Sequence, residues 1–109
     1  MRRLLIEIVR PAFAASTVLE AADARTATRL CRETRPELVL MDVALPDGNG
    51  IALTAEIKSL LPASKVVIVS NHRLRASQDA AAIAGAAAYV FKDDIFDKLL
   101  PALAQVLEQ

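Results

Sequence analysis

Three short runs of apolar residues, each closed by a polar side chain, constrain the fold of this chain more than any other feature. The runs are residues 38–41, 66–69 and 88–91, and the residues that close them are Asp42, Ser70 and Lys92. Runs that are apolar throughout are typical of strands buried on both faces, as in a parallel sheet covered by helices. Because the carboxyl ends of parallel strands meet at one edge, we expect an acid, a hydroxyl and an amine to converge there.

Helical patterns separate the predicted strands. Apolar residues recur at helical spacing over residues 51–61 and 95–107, and residues 73–84 form an alanine-rich segment. Upstream, residues 18–22 read as a short strand and residues 24–35 as a helix that ends before a proline. Alternating strands and helices of this length predict an α/β fold with a parallel sheet and right-handed crossovers.

Glycine, proline and asparagine add local signals. Residues 46–48, with the sequence Pro-Asp-Gly, predict a turn, and Asn49 or Gly50 is a candidate cap for the helix that follows. Gly85 is a candidate for the residue just past a helix end. Pro101 lies inside the last helical pattern, where it should kink the helix or leave one carbonyl without its donor.

Size and composition predict one domain, residues 1–109, in a reducing compartment. The chain has 109 residues, of which 54% are hydrophobic, and has no apolar run long enough to cross a bilayer. A single cysteine, Cys31, cannot form an internal disulfide, which favours the cytoplasm. Thirteen basic residues balance thirteen acidic ones, so we expect no direct binding of nucleic acid or membrane.

The order and spacing of Asp42, Ser70 and Lys92 resemble those of the CheY-like receiver domain of two-component response regulators. The resemblance covers residues 1–108, and the residues around Ser70 and Lys92 look most like the NarL/FixJ branch. It implies a flavodoxin-like, doubly wound parallel sheet. By position it makes Asp42 the phosphoacceptor, Ser70 the conserved hydroxyl, Lys92 the conserved lysine and Tyr89 the aromatic that rotates on activation.

The resemblance also implies a function in signal reception. Asp42 would accept a phosphoryl group from a sensor histidine kinase, and the chain would not be an enzyme in its own right. The backbone carbonyl of Ala44 and the carboxylate of Asp42 match two ligands of the family's Mg²⁺. No effector domain is expected within the 109 residues, and the downstream protein partner is not identifiable from the sequence.

The beginning of the chain departs from the family pattern. A receiver opens with a strand that ends in two acidic residues, and counting back from Asp42 aligns residues 1–9 with the first helix instead. Leu4, Leu5 and Ile8 recur there at helical spacing. The alternative makes residues 4–9 a strand. The seven residues before the next strand are too few for a parallel crossover, so that alternative requires an antiparallel hairpin.

Three possibilities would account for the apparent loss of the first strand. Either strand 18–22 closes up beside strand 38–42, or another chain fills the gap, or the natural protein begins further upstream. Unpaired edges on strands 18–22 and 38–41 would favour a homodimer. Without the acidic pair, Mg²⁺ binding should be weak or absent, and Asp23 is the candidate to replace an acid if the strands close up. A pseudo-receiver that acts as an interaction or dimerisation module without phosphorylation is the alternative function.

Overall fold

The computed structural model describes most of the chain. The described residues are 18–20, 23–42, 44–45, 48–71 and 75–107. The choice between a helix and a strand near the amino terminus therefore lies outside them. Within these ranges, no helix is both long enough and apolar enough to cross a membrane.

The described strands form one parallel sheet and one small hairpin. The strands are β1 (Val18–Glu20), β2 (Leu38–Met41), β3 (Ala44–Leu45), β4 (Gly48–Asn49), β5 (Lys65–Ser70) and β6 (Ala88–Phe91). The parallel sheet has the order β1-β2-β5-β6, and β3 pairs antiparallel with β4. The four predicted strands are confirmed. β3 and β4 flank the predicted turn, of which residues 46 and 47 lie outside the described ranges.

β1 pairs directly with β2, so the two strands have no other strand between them. Val18 is opposite Leu38 and Glu20 is opposite Leu40, while the other edge of β2 pairs with β5. The structure thus shows the first of the three possibilities, in which strand 18–22 closes up beside strand 38–42 within one chain. The expectation of an unpaired edge on residues 38–41 is wrong, because both edges of β2 are hydrogen-bonded. The homodimer stays a prediction, with one of its reasons removed.

Local signals place the helix ends. The helices are α1 (Ala24–Thr34), α2 (Gly50–Leu60), α3 (Arg75–Ala84) and α4 (Leu100–Leu107). Asn49 caps α2, because its side-chain oxygen accepts from the backbone N–H groups of Ile51 and Ala52. Gly85 follows α3 with φ 106°, a left-handed conformation that glycine adopts without strain. Both predicted caps are therefore confirmed.

Successive residues of β2 and β5 point to opposite sides of the sheet, and each side has its own core. Val39 and Met41 belong to a cluster with residues of α1, α2 and α3, including the fully buried Cys31. Leu38 and Leu40 belong to a second cluster with residues of α4 and the segment before it. Helices thus cover both faces, as the doubly wound fold requires.

The last helix begins with a wide turn. After β6 the chain makes a 3₁₀ turn (Lys92–Asp94) and a π turn (Ile95–Leu99) before α4 starts. Pro101 has no N–H to donate to the carbonyl of Asp97, and its ring would crowd that carbonyl in a regular α-helix. A π turn just before the proline widens the helix at the position where the donor is missing. The predicted disturbance at Pro101 is therefore present as a widened turn.

Side chains of the π turn differ in whether they reach the core, and the free energies of unfolding of variants measure this difference. Leu99 is fully buried, whereas Phe96 is 72% exposed. Leu99→Ala should lower the free energy of unfolding by about 2–5 kcal/mol, because it leaves a cavity between the sheet and α4. Phe96→Ala, the control in the same turn, should change it by less than about 0.5 kcal/mol. Urea denaturation of both variants measures the difference, and equal losses would contradict this placement of the turn.

Candidate functional site

Asp42, Ser70 and Lys92 lie at the carboxyl-terminal edge of the parallel sheet. Asp42 directly follows β2, Ser70 is the last residue of β5 and Lys92 directly follows β6. The strand register aligns these ends, since Met41 is opposite Ile68 and Ser70 is opposite Phe91. The sequence prediction that three strands present their polar residues at one edge is thus confirmed.

Asp42 and Lys92 form an ion pair across this edge. The Nζ atom of Lys92 donates to Oδ2 of Asp42 at 2.5 Å. The side chains are 23% exposed for Lys92 and 31% exposed for Asp42, so the pair is partly shielded but open to solvent. A carboxylate this exposed can be reached by a reagent, and the ammonium group beside it offsets part of its charge.

Ser70 and Tyr89 lie in β5 and β6, the two strands that follow β2 in the parallel sheet. Ser70 is only 1% exposed, so its hydroxyl lies within the protein at the strand end. The ring of Tyr89 packs edge to face against Phe91, with 5.7 Å between ring centroids and 68° between ring planes. Tyr89 also contacts the core on the α1–α3 side of the sheet. Its position in β6 is consistent with a switch and with a packing residue, so its predicted role stays a prediction.

Gly50 determines how closely α2 approaches Asp42, a constraint that the sequence analysis missed. A Cβ atom at Gly50 would lie 1.8 Å from the carbonyl oxygen of Asp42 and 3.0 Å from Cγ of Met41. Only glycine permits this approach without a shift of the backbone. In the sequence, Gly50 was considered only as a candidate helix cap. The structure shows that glycine is required there by a tertiary contact with Asp42.

The amino-terminal end of α1 lies against the same corner of the molecule. Asp23 caps α1, and its Oδ1 accepts from the backbone N–H of Thr26 at 2.7 Å. A Cβ atom at Gly48 would be 3.4 Å from Cβ of Ala24, which places the hairpin after Asp42 in contact with the first residue of α1. The ends of β1 and β2 are therefore close together on this edge.

A separate groove lies at the opposite end of the sheet. It has a volume of about 250 Å³ and is lined by residues 35–37 and 60–64, which precede β2 and β5. The amino ends of the strands carry none of the three predicted site residues. The candidate site is therefore the Asp42 edge and not this groove.

Comparisons with known proteins identify the family. The family model described as the response regulator receiver domain matches residues 1–104. The chain therefore belongs to the receiver family of two-component response regulators, as its sequence resemblance and its doubly wound fold indicate.

Individual relatives agree with this family. The chain is 30% identical to the chemotaxis protein CheY of Halobacterium salinarum, over 98% of this chain and 88% of CheY. It is 32% identical to the DNA-binding transcriptional activator DevR/DosR of Mycobacterium tuberculosis, over 85% of this chain and 43% of that protein. The receiver domain of NtrX from Brucella abortus superposes with a TM-score of 0.87 over 99% of this chain and 90% of the NtrX chain, at 28% identity.

The chain spans less than half the length of several of the regulators that it matches. It covers 38% of one transcriptional regulatory protein of Bacillus subtilis and 43% of DevR/DosR. The matched part is the receiver, so the activities and partners of those whole proteins do not transfer directly to this chain.

Receiver domains typically hold Mg²⁺ at the phosphorylation site, and the donor atoms near Asp42 suit that ion. The carboxylate of Asp42 and the backbone carbonyl of Ala44 are hard oxygen donors, the kind that Mg²⁺ prefers. Within the described ranges, no three residues of the types His, Cys, Asp and Glu are grouped to hold a metal ion. An ion bound here would therefore keep several waters, which Mg²⁺ commonly does.

The contact between Gly50 and Asp42 can be tested by adding one methyl group. Gly50→Ala should lower the free energy of unfolding by about 3 kcal/mol, because the new Cβ would force α2 away from the carbonyl of Asp42. Gly48→Ala is the matched control, since its Cβ would meet Ala24 at an ordinary contact distance of 3.4 Å. Thermal unfolding of both variants provides the measurement. A Gly50→Ala protein as stable as the control would show that this approach is not close.

Proposed function

We propose that Asp42 accepts a phosphoryl group from a phosphohistidine of a sensor histidine kinase. The observation that carries this proposal is the ion pair between Asp42 and Lys92, 2.5 Å long and partly shielded. It lies beside the strand end that holds Ser70. Family membership supports a receiver function, and the ion pair is the arrangement that phosphorylation of Asp42 needs.

The proposed step is a nucleophilic displacement at phosphorus. A carboxylate oxygen of Asp42 forms a P–O bond while the P–N bond to the donor imidazole breaks. The imidazole leaves as the neutral base because its other ring nitrogen already carries a proton taken from water. Negative charge spreads over the phosphoryl oxygens during transfer. The ammonium group of Lys92 and the hydroxyl of Ser70 would stabilise this charge, and bound Mg²⁺ would supply further neutralisation at the same oxygens.

Phosphorylation would change the partner of Lys92. In the unmodified chain its ammonium group holds the carboxylate of Asp42, and in the acyl phosphate it would hold the phosphoryl oxygens. Lys92 begins the 3₁₀ turn, and the π turn and α4 follow without a break. A shift of Lys92 would therefore be transmitted to these turns, and so to the surface formed by α3, β6 and α4.

We propose that the signal leaves by protein–protein contact and not by catalysis or direct nucleic-acid binding by this chain. The chain has 13 basic and 13 acidic residues, and this balance supports the proposal that it has no basic surface for nucleic acid.

A reducing cytoplasmic setting suits the single cysteine, Cys31, which is buried. Burial also raises the pKa of its thiol, which makes it a poor nucleophile.

Chemical phosphorylation tests the assignment of Asp42. Acetyl phosphate with Mg²⁺ should add one phosphoryl group to the wild-type chain, detected by intact-mass spectrometry, and none to Asp42→Asn. Asp79→Asn, which removes an exposed carboxylate on α3, should be labelled like the wild type.

Labelling that persists in Asp42→Asn would rule out Asp42 as the acceptor. A folded wild-type chain that takes no label from acetyl phosphate or from a histidine kinase would support the pseudo-receiver instead.

The role of Lys92 is tested by its coupling to α4. Phosphorylation of the wild type should shift the amide resonances of residues 95–107, because Lys92 changes partner next to them. In Lys92→Gln the chain should still be labelled at Asp42, but these shifts should be strongly reduced. Lys98→Gln, the same change at an exposed lysine of the π turn, should leave them intact. Equal shifts in both variants would show that the signal does not pass through Lys92.

A further inference from the structure

The outer face of α1 carries a row of arginines. The helix buries Ala27 and Cys31 in the core, and its opposite side exposes Arg25, Arg29 and Arg32. Because these residues are four and three positions apart, they lie on one helix face, over about 10 Å of its length. Arginine holds a carboxylate by two parallel hydrogen bonds from its planar guanidinium group, so the row suits an acidic surface.

The arginine row also contains one acid. Glu33 lies 3.9 Å from Arg29, and the side chains of this ion pair are 57% and 61% exposed. Such an exposed pair is weak, so both residues are available to a second partner. A depression of about 460 Å³ is lined by Arg25, Thr28, Arg29, Arg32 and Glu33. A complementary surface would carry several acids and one base.

The turns after β6 carry that complementary pattern. Asp93, Asp94 and Asp97 lie in the 3₁₀ and π turns, next to the exposed Lys98. Within the described ranges, no other stretch of five residues holds three acids. Phe96, which is 72% exposed, lies among them. An exposed aromatic ring offers a face on which an arginine can stack.

The arginine row and the acidic turns lie on opposite faces of the sheet. Cys31 of α1 belongs to the core cluster that contains Met41, whereas Ile95 and Leu99 of the π turn belong to the cluster that contains Leu40. Two copies docked face to face therefore cannot form both contacts with each other. A contact between unlike patches that does not close continues from copy to copy as an open chain.

We propose that the arginine row of one copy binds the acidic turns of a second copy, head to tail. The charges match in kind and in number, since three arginines and one glutamate would meet three aspartates and one lysine. Phe96 would supply the apolar contact at the centre. This self-association goes beyond the proposed function and does not depend on phosphorylation of Asp42.

Sedimentation velocity of the unmodified chain at increasing concentration tests the contact. At about 0.01 M salt, where charges act over about 30 Å, the average mass should rise past that of a dimer. At about 1 M salt, where they act over about 3 Å, association should be lost. Arg29→Glu and Asp97→Lys should each weaken association roughly fivefold or more, because an attraction across the contact becomes a repulsion.

The matched controls are the same charge changes on α3. Arg75→Glu and Asp79→Lys alter exposed residues of that helix and should leave association within about twofold. All four variants should stay folded, since their substitutions are at exposed positions.

Mixing the two charge-reversed variants distinguishes unlike patches from like ones. Arg29→Glu keeps the acidic turns intact, and Asp97→Lys keeps the arginine row intact. An equimolar mixture should therefore associate, although each variant alone does so weakly. A contact between two identical patches would not be restored by mixing.

Several outcomes would overturn the proposal. They are a wild-type chain that stays monomeric at low salt, a mass that stops at a dimer, association that salt does not weaken, charge reversals no more harmful than their controls, and a mixture that stays monomeric. Failure of the proposed function is read separately, as loss of Asp42 labelling. A monomeric chain that is labelled at Asp42 would refute only this inference.

Discussion

The pairing of β2 on both edges is the constraint on which the rest of this structure depends. β2 is buried on both faces and hydrogen-bonded to β1 on one side and β5 on the other. A strand in this position satisfies its backbone groups only within a continuous sheet, because buried unpaired groups are costly. Closure of β1 onto β2 meets that requirement within one chain, and it sets which residues meet at the carboxyl-terminal edge.

The electrostatics of that edge follow from the same geometry. Parallel strands end together, so the carboxylate of Asp42 and the ammonium group of Lys92 are brought within 2.5 Å although 50 residues separate them. The pair is only partly exposed, so each charge is partly desolvated and is stabilised by the opposite charge beside it. A phosphoryl group added to Asp42 would exchange one partner of Lys92 for another, and we propose that this exchange carries the signal.

Close packing around Asp42 gives the site its shape. The first residue of α2 is a glycine because a side chain there would overlap the carbonyl of Asp42. The hairpin of β3 and β4 leads directly into α2, and at Gly48 it lies against Ala24, the first residue of α1. The corner is therefore built from close contacts at two glycines, Gly48 and Gly50.

Much of the fold and the main site could be predicted from the sequence, because both depend on local patterns. Apolar runs buried on two faces identify strands, and the residues that close them identify the edge. The Asn49 and Gly85 caps rest on the same kind of local rule. The π turn before Pro101 was foreseen only as a disturbance, since several helix distortions can accommodate a proline.

The sequence by itself determined the strand order along the chain and the residues Asp42, Ser70 and Lys92 at the strand ends. Only the tertiary structure decided that β1 lies directly beside β2, that Gly50 touches Asp42 and that Asp23 belongs to the same corner. The physical reason is that hydrophobic periodicity records which face of an element is buried but not which element lies next to it. Neighbours are chosen by backbone hydrogen bonding and close packing over the whole molecule.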